Sequence, residues 1–131
     1  MNVRVTLPAD ARSPAEARRL VHRSLREWNL VALLDATELL VSELVTNAVL
    51  HARTEAELVL TADGERLRVE VCDGSPVHPR TRRQADTAAT GRGLRLLDAL
   101  ADRWGVVPNG AGKCVWFAIE PGEGRPDDDP R

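Results

Sequence analysis

The segment ELVTNAVLHA, Glu43–Ala52, has the apolar spacing of a packed helix but also carries a polar stripe. Glu43, Asn47 and His51 are spaced four residues apart, so their side chains stack on one helix face. An unpaired carboxylate or amide on an apolar flank costs about 2 kcal/mol or more. These side chains therefore either bond neighbouring groups of the fold or belong to a functional site. The surrounding leucines are Leu39, Leu40 and Leu50.

The rest of the chain alternates between strand and helix patterns. Ser13-Pro14 suits a helix start, with Ser13 as the cap, and Asp63-Gly64 suits a tight hairpin turn. This order predicts an α/β two-layer sandwich with helices on one face of a mixed sheet. The predicted elements are a strand over 3–7, helices over 13–28 and 32–53, a hairpin over 56–71, a long loop over 73–92, a helix from 94, and strands over 105–107 and 113–119.

Composition restricts the class of protein. The chain has 131 residues, of which 43 % are apolar and 29 % charged, and the net charge is -2. These values predict a single soluble domain over 1–120 without a nucleic-acid partner. The segment 121–131 is rich in Pro, Gly and Asp and is predicted to be a disordered tail.

No signal peptide or membrane span is expected from the sequence, so a cytoplasmic protein is predicted. The two cysteines, Cys72 and Cys114, lack the close spacing of metal ligands. They are interpreted as reduced packing residues, in keeping with a cytoplasmic location.

Two further segments contain candidate site residues. In RLRVEVCD the strand alternation places Asp73 on the same face as buried valines. Asp73 is either a turn residue of the following DGSP or an acceptor directed into a pocket. In GRGLRLL, Gly91 and Gly93 directly precede a predicted helix, where exposed N–H groups suit phosphate. Alone, that signal is weak, and a flexible loop and helix start is the better explanation of it.

Together these segments resemble the GHKL ATP-binding superfamily, which contains histidine kinases, type II topoisomerases and related chaperone ATPases. ELVTNAVLHA looks like its first motif, VEVCDGSP like its second, GRGL like its third, and GKCVWFAI like its closing strand. The resemblance covers residues from about 3 to 119 and is strongest to the small serine-kinase branch, the bacterial anti-sigma factors. It implies the Bergerat fold, whose mixed sheet is mostly antiparallel.

The resemblance also implies roles for individual residues. Asn47 would help to hold Mg²⁺, and Glu43, one turn earlier, would orient or deprotonate the nucleophile that attacks the γ-phosphate. Asp73 would accept a hydrogen bond from the adenine amino group. The remaining residues that the resemblance assigns to binding of ATP or ADP are Gly74, Gly91, Arg92, Gly93 and Leu94.

The second motif departs from the family pattern. It is commonly Asp-x-Gly-x-Gly, whereas this chain reads Asp73-Gly74-Ser75-Pro76-Val77. The arginines of the predicted lid, Arg82 and Arg83, are candidate phosphate contacts, although a solvated basic loop is the simpler interpretation. His51 is interpreted as mainly structural.

Three functions remain open at this point. The first is an anti-sigma factor with serine kinase activity, whose partners are a sigma factor and a STAS-type anti-anti-sigma protein. The second is an ATP- or ADP-binding regulator with little kinase activity, and the third is a nucleotide-free interaction module. The strand over 113–119 is apolar on both faces, so it is either central in the sheet or at an interface. Because the family that the chain resembles often dimerises, a homodimer is expected.

Overall fold

The central sheet has five strands in the order β1-β2-β3-β5-β4, and each neighbouring pair is antiparallel. The structure, a computed structural model, describes residues 1–75 and 89–121. Most of the predicted long loop, with Arg82 and Arg83, and the predicted tail over 122–131 lie outside the described residues. The strands are β1 (Asn2–Leu7), β2 (Ala56–Asp63), β3 (Arg66–Asp73), β4 (Arg103–Asn109) and β5 (Gly112–Ile119).

Two of the connections are tight turns that the sequence indicates. Gly64 joins β2 to β3 with φ +65°, and Gly110 joins β4 to β5 with φ +61°. Residues with side chains adopt this left-handed region at a cost, which glycine avoids. The predicted hairpin at Asp63-Gly64 is confirmed by the pairing of Asp63 with Arg66.

Three helices cover one face of the sheet. Helix α1 (Ser13–Glu27) begins with Pro14 in its first turn and packs on α2 (Leu34–Thr46), which follows a short 3₁₀ turn (Val31–Leu33). Helix α3 (Ala89–Leu100) packs on α2. The expected Ser13 cap is wrong: Arg12 occupies that position, and the Ser13 hydroxyl donates to the Pro8 carbonyl at 2.6 Å.

The core lies between the helices and the inner face of the sheet. Alternation directs one set of side chains inward from each strand. Phe117 and Ile119 of β5 and Leu67 and Val69 of β3 are buried against Leu40 of α2. The predicted two-layer, mostly antiparallel sandwich is therefore confirmed.

The two cysteines contradict the sequence interpretation. Cys72 and Cys114 form a disulfide, although 42 residues separate them in the chain. The register of β3 and β5 places the two residues directly opposite each other, on the outer face of the sheet. The prediction that they are reduced is therefore wrong for this structure, because strand pairing brings together what the sequence spacing separates.

Candidate functional site

Helix α2 ends in an unusual turn at the centre of the candidate site. The predicted single helix over 32–53 is α-helical only to Thr46, and a π-helical turn (Asn47–His51) follows. The Ala52 N–H donates to the Asn47 carbonyl at 2.8 Å, which is a hydrogen bond across five residues. Such π-turns are rare, and those that occur are often found at functional sites. The turn alters the direction of the side chains that follow Asn47, so a regular helical wheel misplaces them.

The polar stripe lies at the border between core and solvent. Glu43 and Asn47 are half-buried and His51 is exposed. Glu43 already takes part in a polar interaction within the protein. The sequence suggests that the neighbouring leucines are all packed, but only Leu40 is buried. Of Leu39, 46 % is exposed, and of Leu50, 41 %. A ligand can therefore approach Glu43 and Asn47 from this side.

Asp73 shapes the turn after β3 and is largely buried. It ends β3 on the inner face, and its Oδ1 accepts a hydrogen bond from the Ser75 N–H at 2.8 Å, which shapes the turn. Only 7 % of the Asp73 side chain is exposed. The carboxylate is therefore a fixed hydrogen-bond acceptor on the helix-covered side of the sheet.

Lys113 is the residue that the sequence analysis missed. Its Nζ lies 3.1 Å from Oδ1 and 3.0 Å from Oδ2 of Asp73. The two residues pair directly across β3 and β5, so their side chains point to the same face. The available signal was that Lys113 is the only lysine of the chain and shares its strand face with buried Val115 and Phe117.

Two further residues hold the end of β3 in place. Thr54 links the first two motifs: its N–H donates to the Ala48 carbonyl at 3.0 Å, and its Oγ1 accepts from the Gly74 N–H at 3.3 Å. Gly112 packs against the main chain of Asp73 and Gly74 so closely that a Cβ atom would overlap it. This end of the sheet is therefore fixed by backbone contacts.

The third motif is placed differently from the sequence expectation. Gly91 and Gly93 lie inside α3, with Arg92 between them, although the sequence predicts that the helix begins at Leu94. Leu94 is half-buried and packs against the core. Glycine costs about 1 kcal/mol in a helix interior, so its presence suggests a helix start. The contacts of α3 with α2 and the π-turn offset that cost.

An open cleft of about 500 Å³ adjoins the site at the outer corner of the sheet. Thr54, Asp73 and Gly74 line it together with outer-face residues. Its strand residues Glu57 and Cys72 belong to the outer face of the sheet, away from the helix-covered side. We therefore assign the candidate site to the inner side, where the Asp73 carboxylate lies.

The described residues contain no cluster of three His, Cys, Asp or Glu side chains that could hold a metal ion. An asparagine oxygen such as that of Asn47 nevertheless suits Mg²⁺, which takes oxygen ligands and retains waters and phosphate oxygens. No helix among the described residues is long and apolar enough to cross a membrane.

Comparison with known proteins agrees with this arrangement. A family profile described as "Histidine kinase-like ATPase domain" matches residues 7–119. The chain belongs to this family. The match spans all three motif segments and the five strands except most of β1, so the resemblance to the GHKL superfamily is confirmed.

A solved structure shows the same fold. The RsbU and RsbW domains of Rv1364c from Mycobacterium tuberculosis match with a TM-score of 0.72 and 17 % sequence identity. The match covers 92 % of this chain but only 32 % of that protein, so the chain spans about a third of its length. A search of curated proteins found no match.

Proposed function

We propose that the chain binds ATP with Mg²⁺ and acts as a regulator of the anti-sigma factor, serine-kinase type. The observation that carries the proposal is the buried acceptor Asp73 on the same side of the sheet as Glu43 of α2 and Asn47 of the π-turn. The match to a histidine kinase-like ATPase domain supports ATP as the ligand, and ADP is proposed to bind at the same place.

The proposed roles are those that the family resemblance implies, and each suits the chemistry of its side chain. Asp73 accepts a hydrogen bond from the adenine amino group, and Asn47 offers its amide oxygen to Mg²⁺. When bound, Mg²⁺ supplies positive charge that offsets the charge of the phosphates. Gly74, Gly91, Arg92, Gly93 and Leu94 are proposed nucleotide contacts.

Glu43 is proposed as the group that receives the proton. A serine hydroxyl oxygen of the partner forms a bond to the γ-phosphorus, and the bond from that phosphorus to the bridging oxygen of ADP breaks. The hydroxyl proton passes to the Glu43 carboxylate. The exposed Leu39 and Leu50 on either side of Glu43 are available to contact the protein that presents the serine.

The partners proposed are a sigma factor and a STAS-type anti-anti-sigma protein, and the chain is proposed to form a homodimer. The second candidate function is an ATP- or ADP-binding regulator, or a nucleotide-free interaction module, with little kinase activity. The nucleotide-free module is the alternative that Lys113 favours, because its ammonium group already occupies part of the Asp73 carboxylate.

The test is phosphate transfer to STAS-domain proteins from the same genome. Each is incubated with the chain, ATP and Mg²⁺, and phosphoserine is measured by mass spectrometry. The Glu43→Gln variant should bind ATP but transfer phosphate at least about 100-fold more slowly, because general-base catalysis contributes about 10²–10⁴-fold. The matched control is Glu55→Gln, which removes an exposed carboxylate beyond the π-turn and should transfer at the wild-type rate.

Three outcomes separate the candidates. Transfer that depends on Glu43 supports the kinase. ATP binding without phosphoserine on any STAS protein supports the binding regulator. Transfer that is unchanged in Glu43→Gln contradicts the role given to this carboxylate.

A further inference from the structure

The ion pair between Lys113 and Asp73 differs from the ion pairs at the surface of the sheet. Only 7 % of the Asp73 side chain and 23 % of the Lys113 side chain are exposed. In the pair between Arg4 and Glu57, by contrast, 61 % and 36 % are exposed. Lys113 therefore directs its ammonium group toward the core side of the sheet, to the Asp73 carboxylate that we propose binds adenine.

Fold stability alone does not explain a lysine at this position. The residues that follow it on the same strand face, Val115, Phe117 and Ile119, are buried and apolar. Removing an ion pair from water costs desolvation energy, and apolar residues of similar volume often stabilise a fold equally well. A charged side chain at the site end of an otherwise apolar face therefore points to a role toward a ligand.

The hydrogen-bonding capacity of the pair defines what can bind to it. A carboxylate has about four lone-pair positions, and an ammonium group has three N–H donors. The Ser75 N–H occupies one position on Oδ1, and Lys113 occupies one on each oxygen of Asp73. Among the contacts within residues 1–75 and 89–121, one acceptor position on Oδ2 and one donor of Lys113 therefore remain, on atoms that lie 3.0 Å apart.

An adjacent acceptor and donor complement a group that has a donor beside an acceptor. The Watson–Crick edge of adenine has this order, because its N6 amino group donates and the neighbouring ring N1 accepts. A guanine or hypoxanthine base instead presents a carbonyl oxygen where adenine has the amino group. The free positions of the pair thus fit adenine as a two-point contact.

We propose that Lys113 is a second base-reading residue, whose free N–H donates to N1 of the adenine that Asp73 holds by its amino group. This inference rests on the proposed function, since it requires that ATP binds at Asp73. It assigns the discrimination of the base to a pair of side chains on β3 and β5.

The test compares ATP with 1-deaza-ATP, in which a C–H group replaces N1. Dissociation constants are measured by calorimetry for the wild type and for Lys113→Met, which retains the length of the side chain but removes the ammonium group. A hydrogen bond to a charged donor is worth about 10-fold or more in affinity. The wild type should therefore bind 1-deaza-ATP at least about 10-fold more weakly than ATP.

The variant should lose this discrimination between the two nucleotides. Lys113→Met should bind ATP at least about 10-fold more weakly than the wild type, but 1-deaza-ATP should change by less than about 2-fold. The matched control is Arg66→Met, which removes one positive charge from the far end of β3, where Arg66 pairs with Glu120 at 3.2 Å. This control should retain the wild-type preference for ATP.

Other outcomes overturn the inference in distinguishable ways. Equal weakening of both nucleotides in Lys113→Met would show that Lys113 only balances the charge of Asp73. Tighter binding of ATP would show that Lys113 competes with the base. If the wild type binds ATP but does not distinguish it from 1-deaza-ATP, only the role of Lys113 fails. If the wild type binds neither nucleotide, the proposed function fails as well.

Discussion

Replacement of Gly112 by alanine tests how closely β5 approaches the site. Gly112 is buried at the start of β5, and a Cβ atom there would overlap the main-chain oxygen of Asp73. The same Cβ would lie 2.8 Å from the Gly74 Cα and 2.9 Å from the Asp73 carbonyl carbon. These are main-chain atoms, which cannot rotate away as a side-chain end can, so the two strands must separate.

The expected cost follows from these overlaps. Overpacking of a tight site typically costs about 1–3 kcal/mol, and three backbone overlaps place Gly112→Ala near the upper end. For a domain of this size, about 3 kcal/mol corresponds to a decrease in Tm of roughly 10 °C. Because the displaced atoms belong to Asp73, ATP affinity should also fall by about 10-fold or more, which is the loss expected for one misplaced charged hydrogen bond.

The control is Gly110→Ala in the adjacent turn. Gly110 has φ +61°, and a methyl group added to its Cα would meet no atom within 4 Å. Alanine there should therefore cost about 1 kcal/mol of backbone strain without moving Asp73. Urea unfolding measures the free energy of unfolding of each variant, and titration with ATP at a temperature well below both Tm values measures affinity. If Gly112→Ala is no less stable than Gly110→Ala and binds ATP with wild-type affinity, β5 does not approach the main chain of Asp73 as closely as the structure indicates.

Three other substitutions probe the surrounding contacts. Asp73→Asn should lower the affinity for ATP by about 10-fold or more but leave the affinity for inorganic triphosphate unchanged, since only adenine loses its charged acceptor. Competition binding measures both affinities, and equal losses would argue against adenine recognition by Asp73. Thr54→Val removes the acceptor of the Gly74 N–H and should lower the free energy of unfolding by about 1 kcal/mol in urea; no change would mean that this bond contributes nothing. Replacing both Cys72 and Cys114 by serine should destabilise the protein by up to about 4 kcal/mol, the chain-entropy value for a loop of 42 residues. A thiol assay on the denatured wild type should find no free thiol, and two free thiols would contradict the disulfide.

The sequence predicts the features that depend on local patterns. Helix α1, expected over 13–28, spans Ser13–Glu27, and the turn at Asp63-Gly64 joins β2 to β3 as expected. Hydrophobic alternation also places Asp73 on the inner face of β3 correctly. These features depend on residues that are neighbours in the chain, so periodicity and turn chemistry are sufficient to find them.

The features that sequence reasoning misses depend on contacts between distant residues or on departures from regular geometry. The register of β3 and β5 brings together two pairs of residues that are distant in the chain: Cys72 with Cys114, and Asp73 with Lys113. The turn after Asn47 departs from the period of 3.6 that a helical wheel assumes, so a wheel makes Leu50 more buried than it is.

The central claim is that this chain has a working Mg²⁺-dependent site for an adenine nucleotide. The most direct measurement is calorimetric titration of the wild type and Asn47→Ala with ATP, with and without Mg²⁺. The wild type should bind ATP saturably and more tightly with Mg²⁺, and Asn47→Ala should lose the Mg²⁺ effect. No binding at millimolar ATP, or an undiminished Mg²⁺ effect in the variant, would contradict this claim.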